Sequence, residues 1–220
     1  MTPTGSAASI EALWSRLAPS FDEEADHGLA HPQLRDAWRR RLHRWIPATA
    51  RRVLDIGCGT GSLAVLLAER PHEVTAIDLS RPMLREAANK VRSAGEPAGV
   101  GATVDLAIAD ASRPPFHPRS FDAIVCRHLV WTLPNPQDAL ARWANLLVPS
   151  GRLVAIEGQW SAPAEPNPEL PWDGGVSAHT FSDALAPHFG TVEVVDLARD
   201  SALWAKTVTD ERYAVVATRP

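Results

Sequence analysis

The sequence has no apolar run near the roughly 20 residues needed to cross a bilayer, which removes a helical membrane span from the reading. It has two cysteines, Cys58 and Cys126, too few for a disulfide framework and suited to a reducing cytosol. Lysine is scarce: all but Lys90 and Lys206 of the 22 basic residues are arginine, a mark of a GC-rich genome rather than of a function. Excess positive charge is missing as well. A net charge of −4 speaks against a nucleic-acid partner, whose phosphates must be met by cations. Residues 1–14 have neither a basic start nor an apolar stretch, so no secretion signal is expected. What is present is ordinary for a soluble domain. With 220 residues, 45% hydrophobic and 22% charged, the chain has enough apolar residues for one sizeable core, with an appendage at most. A cytoplasmic monomer or homodimer with no membrane partner is expected.

Three zones follow. Up to residue 50 the pattern is helical: Ile10, Leu13, Trp14 and Leu17 recur at helical spacing, and Leu34, Trp38, Leu42, Trp45 and Ile46 share a face after Pro32. Residues 21–28 between them are polar and show no helical face. The run Arg39-Arg40-Arg41 reads as a solvated helix face. From 51 to about 160, short apolar runs at 53–56, 74–77, 104–109, 121–126 and 153–157 alternate with helices beginning near Thr60, Arg81 and Gln137. That alternation implies a parallel sheet covered on both faces, with its ligand crevice beyond the carboxyl ends of the strands. Residues 92–101 read as a turn-rich loop and 113–120 as a proline-rich one. A proline-rich loop at 161–175, a helix at 182–188 and strands at 191–197 and 212–218 complete the chain.

The sharpest signal is Val53-Leu54-Asp55-Ile56-Gly57-Cys58-Gly59-Thr60-Gly61. A buried strand delivers an acid and three alternate glycines into the first turn of a helix. Glycine tolerates positive φ and leaves no Cβ between backbone and ligand. A dinucleotide fingerprint would place its third glycine at Ser62 and would not call for Asp55. Asp55 instead suits a ligand carrying an ammonium group. Asp78 ends the next strand, where a carboxylate can accept both ribose hydroxyls. Met83 is placed to pack on an adenine face and Asp110, at the end of a third strand, to take its amino group.

These residues resemble the class I S-adenosylmethionine-dependent methyltransferases, in particular the small-molecule branch related to the ubiquinone and menaquinone methyltransferases. Asp55 to Gly61 is similar to their first motif, Asp78 to the ribose acid and Asp110 to the adenine contact. Phe121 to His128 resembles their fourth strand and methionine-end loop, and Leu146 to Leu153 their turn into the fifth strand, with Ser150-Gly151 where a double glycine is usual. The segments Ala18 to Glu24 and Arg127 to Trp131 are similar to an actinobacterial subgroup of that branch. The resemblance covers about half the chain. It implies an α/β, Rossmann-like seven-stranded sheet of order 3-2-1-4-5-7-6, mostly parallel with an antiparallel last strand. Residues 1–50 are expected to form an N-terminal helical lid, 51–220 the methyltransferase domain and 159–178 an acceptor-pocket loop. The cofactor implied is S-adenosyl-L-methionine, with product S-adenosyl-L-homocysteine. Its binding residues are Asp55, Gly57, Cys58, Gly59, Gly61, Asp78, Leu79, Met83, Asp110, Ala111 and Arg127.

Methyl transfer from a sulfonium is an in-line displacement, and alignment alone can supply up to about 7–11 kcal/mol. A base is needed only if the acceptor must lose a proton early. His128, directly after the fourth strand, is the first candidate for base or orienter; its bland alternative is a histidine that shapes the methionine pocket. His27 and His31 in the N-terminal segment and Glu157 at the end of the fifth strand are weaker candidates: the two histidines read more readily as surface loop residues, and Glu157 reads equally as orienting substrate or as bonding a neighbouring backbone group. Cys126 reads as a small core residue. Trp14, Phe21, Trp131, Trp160 and Trp172 are expected to wall an aromatic acceptor pocket, whereas Trp38, Trp45 and Trp143 fall at core spacing. No metal is expected. The reading is a methyltransferase acting on a small aromatic or heteroaromatic metabolite. An RNA or protein methyltransferase, or a non-catalytic binder of the cofactor, are the alternatives.

Overall fold

The computed structural model describes residues 7–98, 104–160 and 170–220. Seven strands form one sheet: β1 (Arg52–Ile56), β2 (Glu73–Asp78), β3 (Val104–Ile108), β4 (Phe121–Arg127), β5 (Leu147–Gln159), β6 (Thr191–Asp196) and β7 (Glu211–Thr218). Their spatial order is β3-β2-β1-β4-β5-β7-β6. Strands β1 to β5 are parallel, and β7 runs antiparallel to both β5 and β6. This is the order the resemblance implied. The strand order reverses between β1 and β4, which opens a crevice at their carboxyl ends.

The central strands are buried on both faces, so successive residues serve different cores. Leu54, Ile56, Ile124, Cys126, Leu153 and Ala155 pack with Trp143 of α6 (Pro136–Leu146) and Phe181 of α7 (Ala178–Leu185). Val53, Ala123, Val125, Val154 and Ile156 pack with Trp38 of α3 (Pro32–Trp45) and Leu66 of α4 (Ser62–Leu67). The helix α5 (Arg81–Ala98) lies against β2, β3 and α4.

The N-terminal zone divides. α1 (Ala7–Leu17), a 3₁₀ turn at Ala18–Glu23 and α2 (Ala25–Gly28) lie at the crevice. α3 instead belongs to the main core: Trp38 is fully buried and its Nε1 donates to the Leu203 carbonyl at 3.0 Å. Arg152 also donates to the Trp45 carbonyl at 2.9 Å. The apolar face of α3 is therefore required by the sheet.

Local expectations need four corrections. Residues 21–28 are helical rather than irregular, because Gly28 lets the chain close on itself; a Cβ there would sit 2.6 Å from the Asp22 carbonyl. α5 continues to Ala98 through the stretch expected as a loop, its packing on β2 and β3 outweighing a weak local sequence. β5 begins at Leu147 rather than 153, as Ser150 takes φ +61 and its N–H reaches the Arg219 carbonyl at 3.1 Å. α7 starts at Ala178, not 182, because Ser177 caps it by accepting from the Thr180 N–H. Of the proline-rich loop, 161–169 lie outside the described residues. No helix among the described residues is long and apolar enough to cross a membrane.

Candidate active site

A cavity of about 450 Å³ occupies the crevice over the strand tips, within the range of small-molecule sites. One half is the glycine turn. Gly57, Gly59 and Gly61 have φ of +69, +54 and +79, a region that disfavours any side chain. Each also clears space. A Cβ on Gly57 would strike Leu129 in the loop after β4, and one on Gly61 would meet Ala87 of α5 at 2.9 Å. Gly59 is open except for Phe21 above it. Gly57, Cys58 and Gly59 line the cavity; Gly61 acts behind it, holding α4 to α5.

Three carboxylates end β1, β2 and β3 at this half. Asp55 is 1% exposed, and its Oδ2 has no hydrogen-bond partner among the described residues. Burial pushes its carboxyl up to about 7, against an opposing pull from Arg127. Such an orphaned carboxylate oxygen is completed by an ammonium group. Asp78 accepts from the Gly59 N–H and the Ser80 N–H, each at 2.8 Å. Burial raises its pKa while those bonds oppose the rise. Each oxygen retains a further lone pair for a hydroxyl. Asp110 accepts from the Ser112 N–H through Oδ1 at 2.7 Å. Leu79, Met83 and Ala111 complete the wall. This donor and acceptor set fits S-adenosylmethionine.

The N-terminal segment before α3 is tied to this turn. Asp22 accepts from Thr60 Oγ1 at 2.6 Å and pairs with Lys90 at 2.8 Å. Lys90 also donates to Ser62 Oγ at 2.7 Å, and that hydroxyl donates to the Gly28 carbonyl. Arg127 donates to the His27 carbonyl at 2.9 Å, and Ser15 meets Ser80 at 2.9 Å. Burial lowers the Lys90 pKa and its pairing with Asp22 raises it. Neither Asp22 nor Lys90 was nominated from the sequence, because their meeting depends on how the lid folds back.

The other half is aromatic. Six rings form a closed circuit on the cavity wall. Trp14 meets Phe21 at 6.1 Å, Phe21 stacks on His27 at 4.3 Å and His27 meets His128 at 6.4 Å. His128 meets Trp160 at 5.1 Å, Trp160 meets Trp131 at 6.0 Å, and Trp131 returns to Trp14 at 6.0 Å. His128 has φ +55, and its Nε2 is sealed from solvent without a hydrogen-bond partner among the described residues. Burial holds its pKa well below the ordinary histidine value, with Arg127, Arg212 and His27 adding to the effect, so the ring is neutral at pH 7.

The remaining candidates fall elsewhere. Glu157 is fully buried beneath the wall and accepts from the Leu129 and Val130 N–H groups at 2.8 and 3.0 Å, fixing the turn that carries His128. Its carboxyl is pushed up to about 8 by burial, despite those bonds and Arg212. His31 is exposed at the start of α3, away from the cavity lining. Trp172 packs on Phe181 at 5.8 Å in the core and is not on the lining either. Cys126 is fully buried in the core. The structure adds Arg212 and Lys206 to the lining, two cations the sequence reading passed over.

Residues 54–155 match a family described as a methyltransferase domain. Among curated relatives, aklanonic acid methyltransferase DauC of Streptomyces sp. (strain C5) is 36% identical over 111 residues, 49% of this chain and 48% of that enzyme. Demethylmenaquinone methyltransferase of Tropheryma whipplei is 34% identical over 152 residues, 68% of this chain and 59% of the relative. The chain thus spans about half to three-fifths of the length of these relatives. Among solved structures, the [4+2]-cyclase SpnF superposes with a TM-score of 0.75 at 19% identity, covering 99% of this chain and 98% of that one. That likeness speaks to the fold alone. Sequence match, strand order and a glycine turn flanked by three strand-end carboxylates agree: residues 54–155 carry a methyltransferase domain on the Rossmann-like sheet of the S-adenosylmethionine-dependent type, and the residues at its crevice fit that cofactor.

Proposed function

We propose that the protein transfers a methyl group from S-adenosylmethionine to a small, flat, ring-containing acceptor bound among the six aromatic side chains. The closed circuit of rings, beside the cofactor-binding turn, is the observation that carries this reading. Rings bury large area with defined geometry against a planar ligand. The two curated relatives are named for aklanonic acid and demethylmenaquinone, both small molecules.

The cofactor, when bound, supplies an electrophilic methyl group on a sulfonium. Asp55 holds the ammonium end, Asp78 the ribose hydroxyls and Asp110 the adenine amino group. Residues 7–31 form the lid, and the Asp22–Lys90–Thr60 cluster holds it closed over the turn, excluding water. Trp131 and Trp160 orient the acceptor. His128 shapes the wall as a neutral ring; its depressed pKa makes it a weak proton acceptor. Alignment is then the main catalytic device.

Incubation with methyl-labelled S-adenosylmethionine and a metabolite extract, followed by mass spectrometry, tests the proposal. Label in a low-mass ring-containing product is expected. Label in RNA or protein would replace the proposal with the macromolecular alternative. Tight cofactor binding with no transfer would point to a scaffold for other chemistry, as the name of the cyclase with this fold illustrates.

A further inference from the structure

The cavity is electrically divided along the sheet. Asp55, Asp78 and Asp110 stand at the tips of β1, β2 and β3, while Arg127, Arg212 and Lys206 line the side beyond β4. The lid adds the exposed carboxylate of Glu24 to the lining. The acidic side is matched to a cationic cofactor. Arg127, which acts on Asp55, is answered by the α-carboxylate beside the cofactor's ammonium group, and this leaves Arg212 and Lys206 to be explained.

Arg212 is the best-built of the three. It opens β7 opposite Gly158, at the same carboxyl edge as His128. Gly158 has no side chain to separate Arg212 from Trp160: a Cβ there would come within 3.0 Å of both and would strike the Glu211 carbonyl. The guanidinium is stacked over Trp160 at 5.0 Å and over Trp204 at 5.4 Å. Asp210 grips it with two hydrogen bonds of 2.9 Å, to Nε and to Nη2. The side chain is only 12% exposed. Nη1 is left without a protein partner among the described residues. Aromatic faces and one carboxylate therefore hold a planar fork in a fixed orientation on the cavity wall. Asp210 neutralises the charge of this fork, and the exposed Lys206 adds a second cation to the same lining.

We infer that the acceptor is an aromatic acid: its ring lies among the six rings, and its carboxylate or equivalent anionic group is held by Arg212 with support from Lys206. This rests on the proposed function and narrows its substrate class. A fixed guanidinium gives a charge-assisted hydrogen bond to an anion, whereas a carboxamide in the same place gains only a neutral one.

The test uses matched pairs titrated into the full-length protein saturated with S-adenosylhomocysteine, followed by tryptophan fluorescence. The pairs are 2-naphthoate with 2-naphthamide, indole-3-carboxylate with its amide, and anthraquinone-2-carboxylate with its amide. At least one acid is expected to bind about tenfold tighter than its amide. Arg212→Gln should abolish that preference while leaving the amide and S-adenosylhomocysteine affinities unchanged. Lys206→Gln, at an exposed position where folding is not at risk, should weaken acid binding about threefold, with the loss shrinking as salt is raised. Equal binding of acid and amide in every pair would overturn the inference and leave the aromatic acceptor standing. An acid preference that survived in both variants would remove Arg212 and Lys206 from the assignment and so overturn it. Failure of every acid and amide to bind would overturn the aromatic reading and the inference together.

Discussion

The two halves of the cavity are made in different ways. The cofactor half is continuous in sequence and built on backbone: one strand, three glycines of positive φ and an acid at each of three neighbouring strand ends. The aromatic half, the proposed acceptor site, is made of side chains from α1, the 3₁₀ turn after it, the loop after β4, the end of β5 and the start of β7. A backbone cradle tolerates no Cβ but is indifferent to most neighbours. A side-chain cage tolerates substitution at any one position, and so it can be retuned to a new acceptor while the cradle stays fixed.

The largest expected effect comes from breaking the cradle. Gly59→Val places a β-branched residue at φ +54, where the ligand must approach the backbone. Strain of about 1–3 kcal/mol and loss of more than about 100-fold in cofactor affinity, well beyond one lost contact, are expected by thermal melting and calorimetry. Undiminished affinity would refute the cradle.

His128 separates the halves more finely. Its left-handed backbone makes asparagine the clean substitution, since asparagine tolerates that region. His128→Asn is expected to keep kcat within about tenfold of the parent, less than the usual contribution of a general base. The rate profile should lack a rising limb near pH 6.5, because burial holds the ring neutral well below that pH. A loss of about 10²-fold with intact cofactor affinity would make His128 the base.

Asp55 ties the cradle to pH. In the free protein its carboxyl is raised to about 7, and an ammonium ligand favours the ionised form. Cofactor affinity should therefore rise severalfold, roughly, between about pH 6 and 7.5, with proton release visible by calorimetry in buffers of different ionisation enthalpy. Asp55→Asn should flatten that dependence.

Glu157 leaves ligand binding untouched and concerns stability alone. Its carboxyl is raised by burial from the ordinary value of 4.5 to about 8. The unfolded chain ionises first, so this group's contribution is full below about pH 4.5 and is lost as pH rises to about 8. Glu157→Gln keeps an acceptor for the Leu129 and Val130 N–H groups. The variant should melt progressively higher than the parent as pH rises from 5 to 8; a constant difference would remove Glu157 as the titrating group.

The same division explains what the sequence discloses. Asp55 to Gly61 is legible because each residue acts through its own backbone or its strand end, and short apolar runs buried on both faces make the central strands legible. The acceptor half depends on which distant segments meet. Trp160 and Trp172 carry the same signal, an aromatic after β5, yet one lies under the Arg212 guanidinium and the other meets Phe181 edge-to-face in the core. His27 and His31 look alike in sequence, yet one lines the cavity and the other is exposed. Arg212 is hidden for a further reason: only the β5–β7 ladder places it beside Gly158. α3 has an amphipathic pattern in which a lid helix and a core helix read the same way, and burial of Trp38 decides between them.

The central claim is that the two halves bind separate ligands, and Trp160→Ala tests it most directly. Trp160 meets His128 edge-on and lies under the Arg212 guanidinium, and among the described residues its indole makes no hydrogen bond to the cradle. Calorimetry on this variant should return a cofactor affinity within about threefold of the parent, less than the loss of one net hydrogen bond would produce. An affinity loss as large as that of Gly59→Val would contradict the division and make the cavity a single site.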